Sequence, residues 1–191
     1  MGRIGPWVIR CRRSRIGRTV LGMVGLSGIW LVDQRFSWQA KPLGIAATLD
    51  EAAHLATAAI IAGPWLSRAS TSFTMGLVAG AVLVDVDHLP ALFGTDLLTR
   101  TTARPLTHSL VGSAPVVAGA LYHRSFATGA LLGLASHFLR DMASSSAGVP
   151  LFWPISDRGL RLPDHLYYGV LLVALALGVV MDGRGRRSAP T

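Results

Sequence analysis

The sequence predicts an all-α protein, a bundle of about six transmembrane helices, and three observations carry that expectation. The chain of 191 residues is 51% hydrophobic and 15% charged, with a mean hydropathy of +0.46, too apolar for a water-soluble domain of this size. Apolar runs recur at close to the ~20 residues that cross a bilayer, separated by Pro, Gly and charged breaks. Basic residues gather in the tails that flank these runs, where they face anionic lipid and set topology.

Residues 1–18 form a basic cytoplasmic tail carrying Arg3, Arg10, Arg12, Arg13, Arg15 and Arg18, and the run TVLGMVGLSGIWLV follows as a first span. A cleaved signal peptide would need a small-x-small site after the run, and WLVDQRFSW is bulky, so an uncleaved span is expected. Arg12 and Arg13 lack the rest of a twin-arginine motif and serve as a charge anchor. Further helices are expected at about 46–64, 72–90, 107–122, 126–142 and 165–181. Of these only the last, HLYYGVLLVALALGVVM, is free of charge along its core, while GLVAGAVLV and ATGALLGLASH carry the small residues that let helices approach closely. Breaks are marked by Gly63-Pro64, Pro90, Pro105, Pro150, Pro154 and Pro163, and residues 143–164 form an ordered loop outside the membrane. Residues 19–182 therefore make one transmembrane helical domain, and residues 183–191 a basic C-terminal tail.

A net charge of +8 and a pI near 11.2 would point to nucleic acid in a soluble protein, but the tail distribution explains the charge and no nucleic acid partner is expected. With the first tail in the cytoplasm, six spans place eleven basic residues inside and seven outside. The one cysteine, Cys11, excludes an intramolecular disulfide and a thiolate metal cage.

Against this apolar background four polar clusters stand out: Asp50 with His54, then Asp85, Asp87 and His88 in LVDVDHLP, then His108 in RPLTHS, then His137 with Asp141. Charged and imidazole groups are costly in such surroundings and call for a partner. Asp50 and His54 are four apart, as are His137 and Asp141, so each pair shares a helix face. The six-span topology brings all four clusters to one depth on the extracytoplasmic side of the membrane. Imidazole and carboxylate donors without thiolate suit a divalent ion, zinc first and manganese or iron next, with one or two ions. An ion with an open position acidifies water, and a spare carboxylate serves as general base, so hydrolysis is the chemistry the set supports most directly.

In order, Asp50-x-x-x-His54, DVDH (85–88), RPLTHS (104–109), HFLRD (137–141) and LFWPIS (151–156) resemble the motifs of the YdjM-type family of bacterial inner-membrane proteins, described as metal-dependent hydrolases. The resemblance covers about residues 45–160 and implies a multi-span helical protein with metal ligands at His54, Asp87, His88, His108, His137 and Asp141. The family's third motif often opens with a histidine where this chain has Ala103, so that residue's role does not carry over. Asp85 or Asp50 is then the general base, or a partner that orients a histidine. Arg104 either holds an anionic group such as phosphate or contacts interfacial lipid. The expected substrate is an ester or phosphoester of a membrane lipid or lipid-linked envelope molecule. Two rivals use the same residues. An ion or proton-coupled transporter would need polar groups through the whole membrane, and a non-catalytic scaffold would need a metal with no open position.

Overall fold

The computed structural model describes residues 15–35, 43–88, 93, 95, 106–119 and 122–187, except the side chains of residues 15, 16, 18, 35, 43, 86–88, 106, 117 and 182–187. The elements in chain order are α1 (Arg15–Arg35), α2 (Leu43–Leu66), α3 (Thr71–Val82), a 3₁₀ segment (Leu83–His88), a short 3₁₀ turn (Leu106–His108), α4 (Ala114–Gly119), α5 (Arg124–Ser144) and α6 (Asp164–Arg187). Among the described residues there is no strand, only an isolated antiparallel bridge between Val149 and Leu160, and the protein is all-α.

The local chemistry of each boundary is visible. Ser70 opens α3 by accepting a hydrogen bond from the Phe73 amide at 3.1 Å, which satisfies one of the free N–H groups of the first turn. After Val82 the chain tightens to 3₁₀ through LVDVDH, consistent with the polar residues and Pro90 that follow. Helix α2 runs through Gly63-Pro64, expected as a break, and stops at Leu66, because a proline in a last turn forfeits little of the ladder. The expected helix at 107–122 is instead a 3₁₀ turn, a turn over residues 109–113 and the six-residue α4.

Helices α3 and α5 pack backbone against backbone. A Cβ added at Gly76 or Gly80 would run into the carbonyl oxygens of Phe126 and Ala130, and one at Gly129 or Gly133 into those of Phe73 and Leu77. Ile29, Ala53, Ile60, Tyr167, Leu171 and Ala174 form a core between α1, α2 and α6. A second core (Ala58, Ala62, Leu77, Ala81) joins α2 to α3, and a third (Val84, Leu134, Phe138, Val149) lies under the α5–α6 loop.

The expectation of about six spans is corrected. Among the described residues two helical segments are long and apolar enough to cross a membrane, Gly44–Leu66 in α2 and Asp164–Met181 in α6. The apolar stretches Thr19–Gln34 and Thr71–Asp85 are too short, the 107–122 region is broken, and α5 buries His137, Arg140 and Asp141 in its C-terminal half.

Candidate metal centre

Four elements bring their polar residues to one point. Helix α2 supplies Asp50, Glu51 and His54, the 3₁₀ segment after α3 supplies Asp85, the turn before α4 supplies His108, and α5 supplies His137 and Asp141. The tight α3–α5 contact sets the distance between the last two groups and Asp85, so the glycines are the framework of the site. His54, His108 and His137 have no exposed surface, and Asp141 is almost as deeply buried.

The Nε2 atoms of all three histidines turn inward. His108 Nε2 stands 3.1 Å from Asp85 Oδ1 and 3.3 Å from Asp141 Oδ2, and His137 Nε2 stands 3.5 Å and 3.4 Å from the same two atoms. His54 Nε2 lies 3.5 Å from Asp141 Oδ1, 3.6 Å from Asp50 Oδ2 and 4.0 Å from Asp85 Oδ2. His137 and His108 bring their Nε2 atoms to 3.4 Å of one another. The rings of His54 and His137 stack at 3.9 Å with an interplanar angle of 11°.

Tautomer chemistry decides what this means. His137 Nδ1 is 2.8 Å from the Ala81 carbonyl, which can only accept, so Nδ1 carries the proton and Nε2 presents a lone pair to the Asp85 and Asp141 carboxylates. Lone pair facing lone pair requires a cation between them, a proton or a metal ion. His54 is fully buried and neither ring nitrogen has a hydrogen-bond partner among the described residues, an orphaned polar group of the kind a metal ion satisfies. Metal–ligand bonds of about 2.0–2.2 Å in tetrahedral arrangement give ligand–ligand edges of about 3.3–3.6 Å, and most of these nitrogen–oxygen separations fall there or within a few tenths of an ångström. Three overlapping triads meet the spacing for an ion: His54, His137, Asp141; Asp85, His108, His137; and Asp50, His54, Asp85. The residues present therefore fit a divalent ion.

Electrostatics agree. Burial disfavours the Asp85 carboxylate, but hydrogen bonding to His108 and His137 outweighs it and holds the group well below the usual carboxylate range. Asp33 and Asp50 pair with the Arg140 guanidinium, while Glu51, Asp85 and Asp141 stand on the histidine side, so among the described residues the carboxyl groups outnumber the guanidinium and a further positive charge would offset them.

Of the residues predicted from sequence, the structure brings together Asp50, His54, Asp85, His108, His137 and Asp141. Asp85 and Asp50, expected as base or orienting group, stand within the set of atoms that could hold the ion. The side chains of Asp87 and His88, and all of Arg104, lie outside the described residues. His123, which lacked an acidic neighbour in sequence, sits at the far end of α5 as its exposed N-cap.

Four participants were not singled out from sequence: Glu51, Arg140, Asp33 and Tyr168. Glu51 lies against Asp85, Asp50 and His137, with Oε2 buried and without a hydrogen-bond partner among the described residues. Arg140 donates through Nη2 to Asp33 at 3.0 Å and Asp50 at 3.2 Å, and Tyr168 donates to the other oxygen of Asp33 at 2.7 Å. An arginine in the middle of HFLRD was the available signal for Arg140, since a buried guanidinium needs carboxylates. Asp33 in α1 carried no such signal.

Comparison with protein families matches the chain to the model of the YdjM inner membrane protein family over residues 49–190. No curated protein and no solved structure matches the chain.

Proposed function

Because this chain belongs to the YdjM inner membrane protein family, we propose that it is a multi-pass protein of the bacterial inner membrane and a metal-dependent hydrolase acting on an ester or phosphoester of a lipid or envelope molecule. The observation that carries this proposal is the convergence of three histidine Nε2 atoms on the Asp85 and Asp141 carboxylates, at 3.1–4.0 Å. His54, His108, His137, Asp85 and Asp141 would hold the ion, zinc for preference and manganese or iron next, and the overlap of the triads leaves room for one ion or two. When bound, the ion supplies Lewis-acid polarisation of the scissile group and acidifies water.

The chain's own groups divide the remaining work. Ala81 fixes the His137 tautomer by accepting from Nδ1. Asp50, held by Arg140 on one oxygen and facing His54 Nε2 with the other, would join that nitrogen as a further carboxylate ligand. Glu51, with a buried oxygen open to a new partner, takes the proton from the attacking water. Asp87 and His88 are proposed as further ligands, Arg104 as the contact to an anionic group of the substrate, and the site is proposed to face the extracytoplasmic side.

The test is metal analysis of the detergent-purified protein before and after chelation, followed by turnover on a panel of phospholipids and lipid phosphates. Stoichiometric metal and metal-dependent turnover are expected. Metal-loaded protein that hydrolyses nothing on the panel while supporting His137-dependent ion flux in proteoliposomes would replace the hydrolase with a transporter.

A further inference from the structure

The segment between α5 and α6, residues 145–163, is not loose. Val149 and Leu160 exchange backbone hydrogen bonds at 2.9 and 2.8 Å, the Leu162 amide donates to the Met142 carbonyl at 2.8 Å, and Gly148 makes the reversal at φ 73°, a conformation that suits glycine. Val149 and Leu151 press down on Leu134 and Phe138, and the Phe138 ring stands beside those of His108 and His137. A further hydrogen bond, from the Leu110 amide to the Leu151 carbonyl at 3.0 Å, ties the turn after His108 to the same segment. The two turns together roof the metal centre.

The outer surface of that roof carries large apolar side chains beside the exposed Asp157, Arg158 and Arg161. Ile155 is 94% exposed, Phe152 54%, and Leu110 and Val111 55% each. Large apolar side chains grouped on turns mark a contact surface, because turns that face water carry polar residues. Three features identify what it contacts. The apolar span of α6 begins at Asp164, directly after the segment, so the roof stands at the height where the chain enters the membrane. Tyr167, in the first turn of α6, donates to Thr57 of α2 at 2.6 Å, because the Thr57 hydroxyl proton is committed to the Ala53 carbonyl. That bond places Thr57, three residues after His54, beside the first turn of α6. Arg158 and Arg161 are exposed just before α6, with Asp157 and Asp164 beside them, a charged stretch that suits the headgroup level.

Building on the hydrolase reading, we propose that the apolar turns bearing Leu110, Val111, Phe152 and Ile155 seat in the headgroup–acyl boundary of the bilayer, so that the metal centre receives an acyl-chain-bearing lipid from the membrane and not a soluble ester.

The experiment has two independent arms. In a Cys11→Ser background, Phe152→Cys and Ile155→Cys carry nitroxide labels in vesicles of phosphatidylethanolamine and phosphatidylglycerol, and power saturation compares oxygen with a water-soluble nickel chelate. Oxygen should dominate at both positions; dominance of the chelate overturns the proposal. In the second arm the Phe152→Ser/Ile155→Ser double variant, shown to retain its metal, should lose about tenfold of turnover on vesicle phospholipid while staying within about twofold on a short-chain soluble ester. Equal loss on both substrates also overturns it. Absence of turnover in every form removes the hydrolase reading alone, and the labels still decide where the roof lies.

Discussion

Arg140 of α5 reaches Asp33 of α1 at 3.0 Å, and this ion pair connects the first helix to the metal centre. The same nitrogen, Nη2, also donates to Asp50, whose second oxygen faces His54. Helix α1 lies outside the segment matched by the family model, residues 49–190, yet it supplies the carboxylate that completes this chain of contacts.

Removing the guanidinium should be severe. Arg140→Met leaves Asp33 and Asp50 facing each other with no cation, and breaking a buried pair in this way costs about 3–5 kcal/mol. The two carboxylates keep 24% and 20% exposure, which places the loss at the lower end of that range. Arg140→Lys should recover part of it. Thermal unfolding of the detergent-solubilised variants checks the order, and an Arg140→Met protein as stable as the parent contradicts it.

The metal assignment separates histidines by position. His54→Ala and His137→Ala should each lose bound metal, whereas His123→Ala, at the opposite end of α5, should keep it. Elemental analysis of the three purified proteins decides the matter, and equal metal in all of them excludes the site.

Acid should strip the ion. Ligating imidazoles and carboxylates must be deprotonated, so protons compete with metal and apparent affinity should fall steadily below about pH 6. Binding should release protons into a weakly buffered solution, measurable with a pH indicator during titration of the chelated protein with zinc. Affinity that is flat from about pH 7 to pH 5 would mean that histidine does not ligate.

Glu51→Gln should leave metal content near that of the parent and lower turnover about 10²-fold or more, as loss of a proton-transfer group does. Asp141→Asn should lower both together, since Asp141 faces all three histidines within 3.3–3.5 Å. Measuring metal and rate on the same preparations separates the two roles.

Close packing is the remaining test of the framework. Gly80→Val places side-chain atoms where the Ala130 carbonyl lies and should force α3 from α5, with a cost of about 1–3 kcal/mol or more. Because Asp85 and His137 sit on the two sides of that contact, metal affinity should fall with it. Gly28→Ala, which meets no neighbouring atom within 4 Å, should be tolerated.

Much of this protein was determined by sequence alone. Most helix positions followed from apolar runs bounded by Pro, Gly and charge, the 107–122 region excepted, and the candidate metal ligands followed from acids and imidazoles set four apart where unpaired polar groups are costly. That is why Asp50, His54, His137 and Asp141 were legible: local spacing on a helix fixes their common face. Length and hydropathy within each run did not settle which helices cross a membrane, and among the described residues two have the dimensions. Tertiary structure decided what spacing cannot encode. The Asp33–Arg140 pair is 107 residues apart in sequence, and Glu51 acquires its place at the site only once Asp85 and His137 are packed against it. Periodicity reports how a residue sits on its own helix, whereas the partner of a buried charge depends on which helices pack together and at what height, set here by backbone contact through Gly76, Gly80, Gly129 and Gly133.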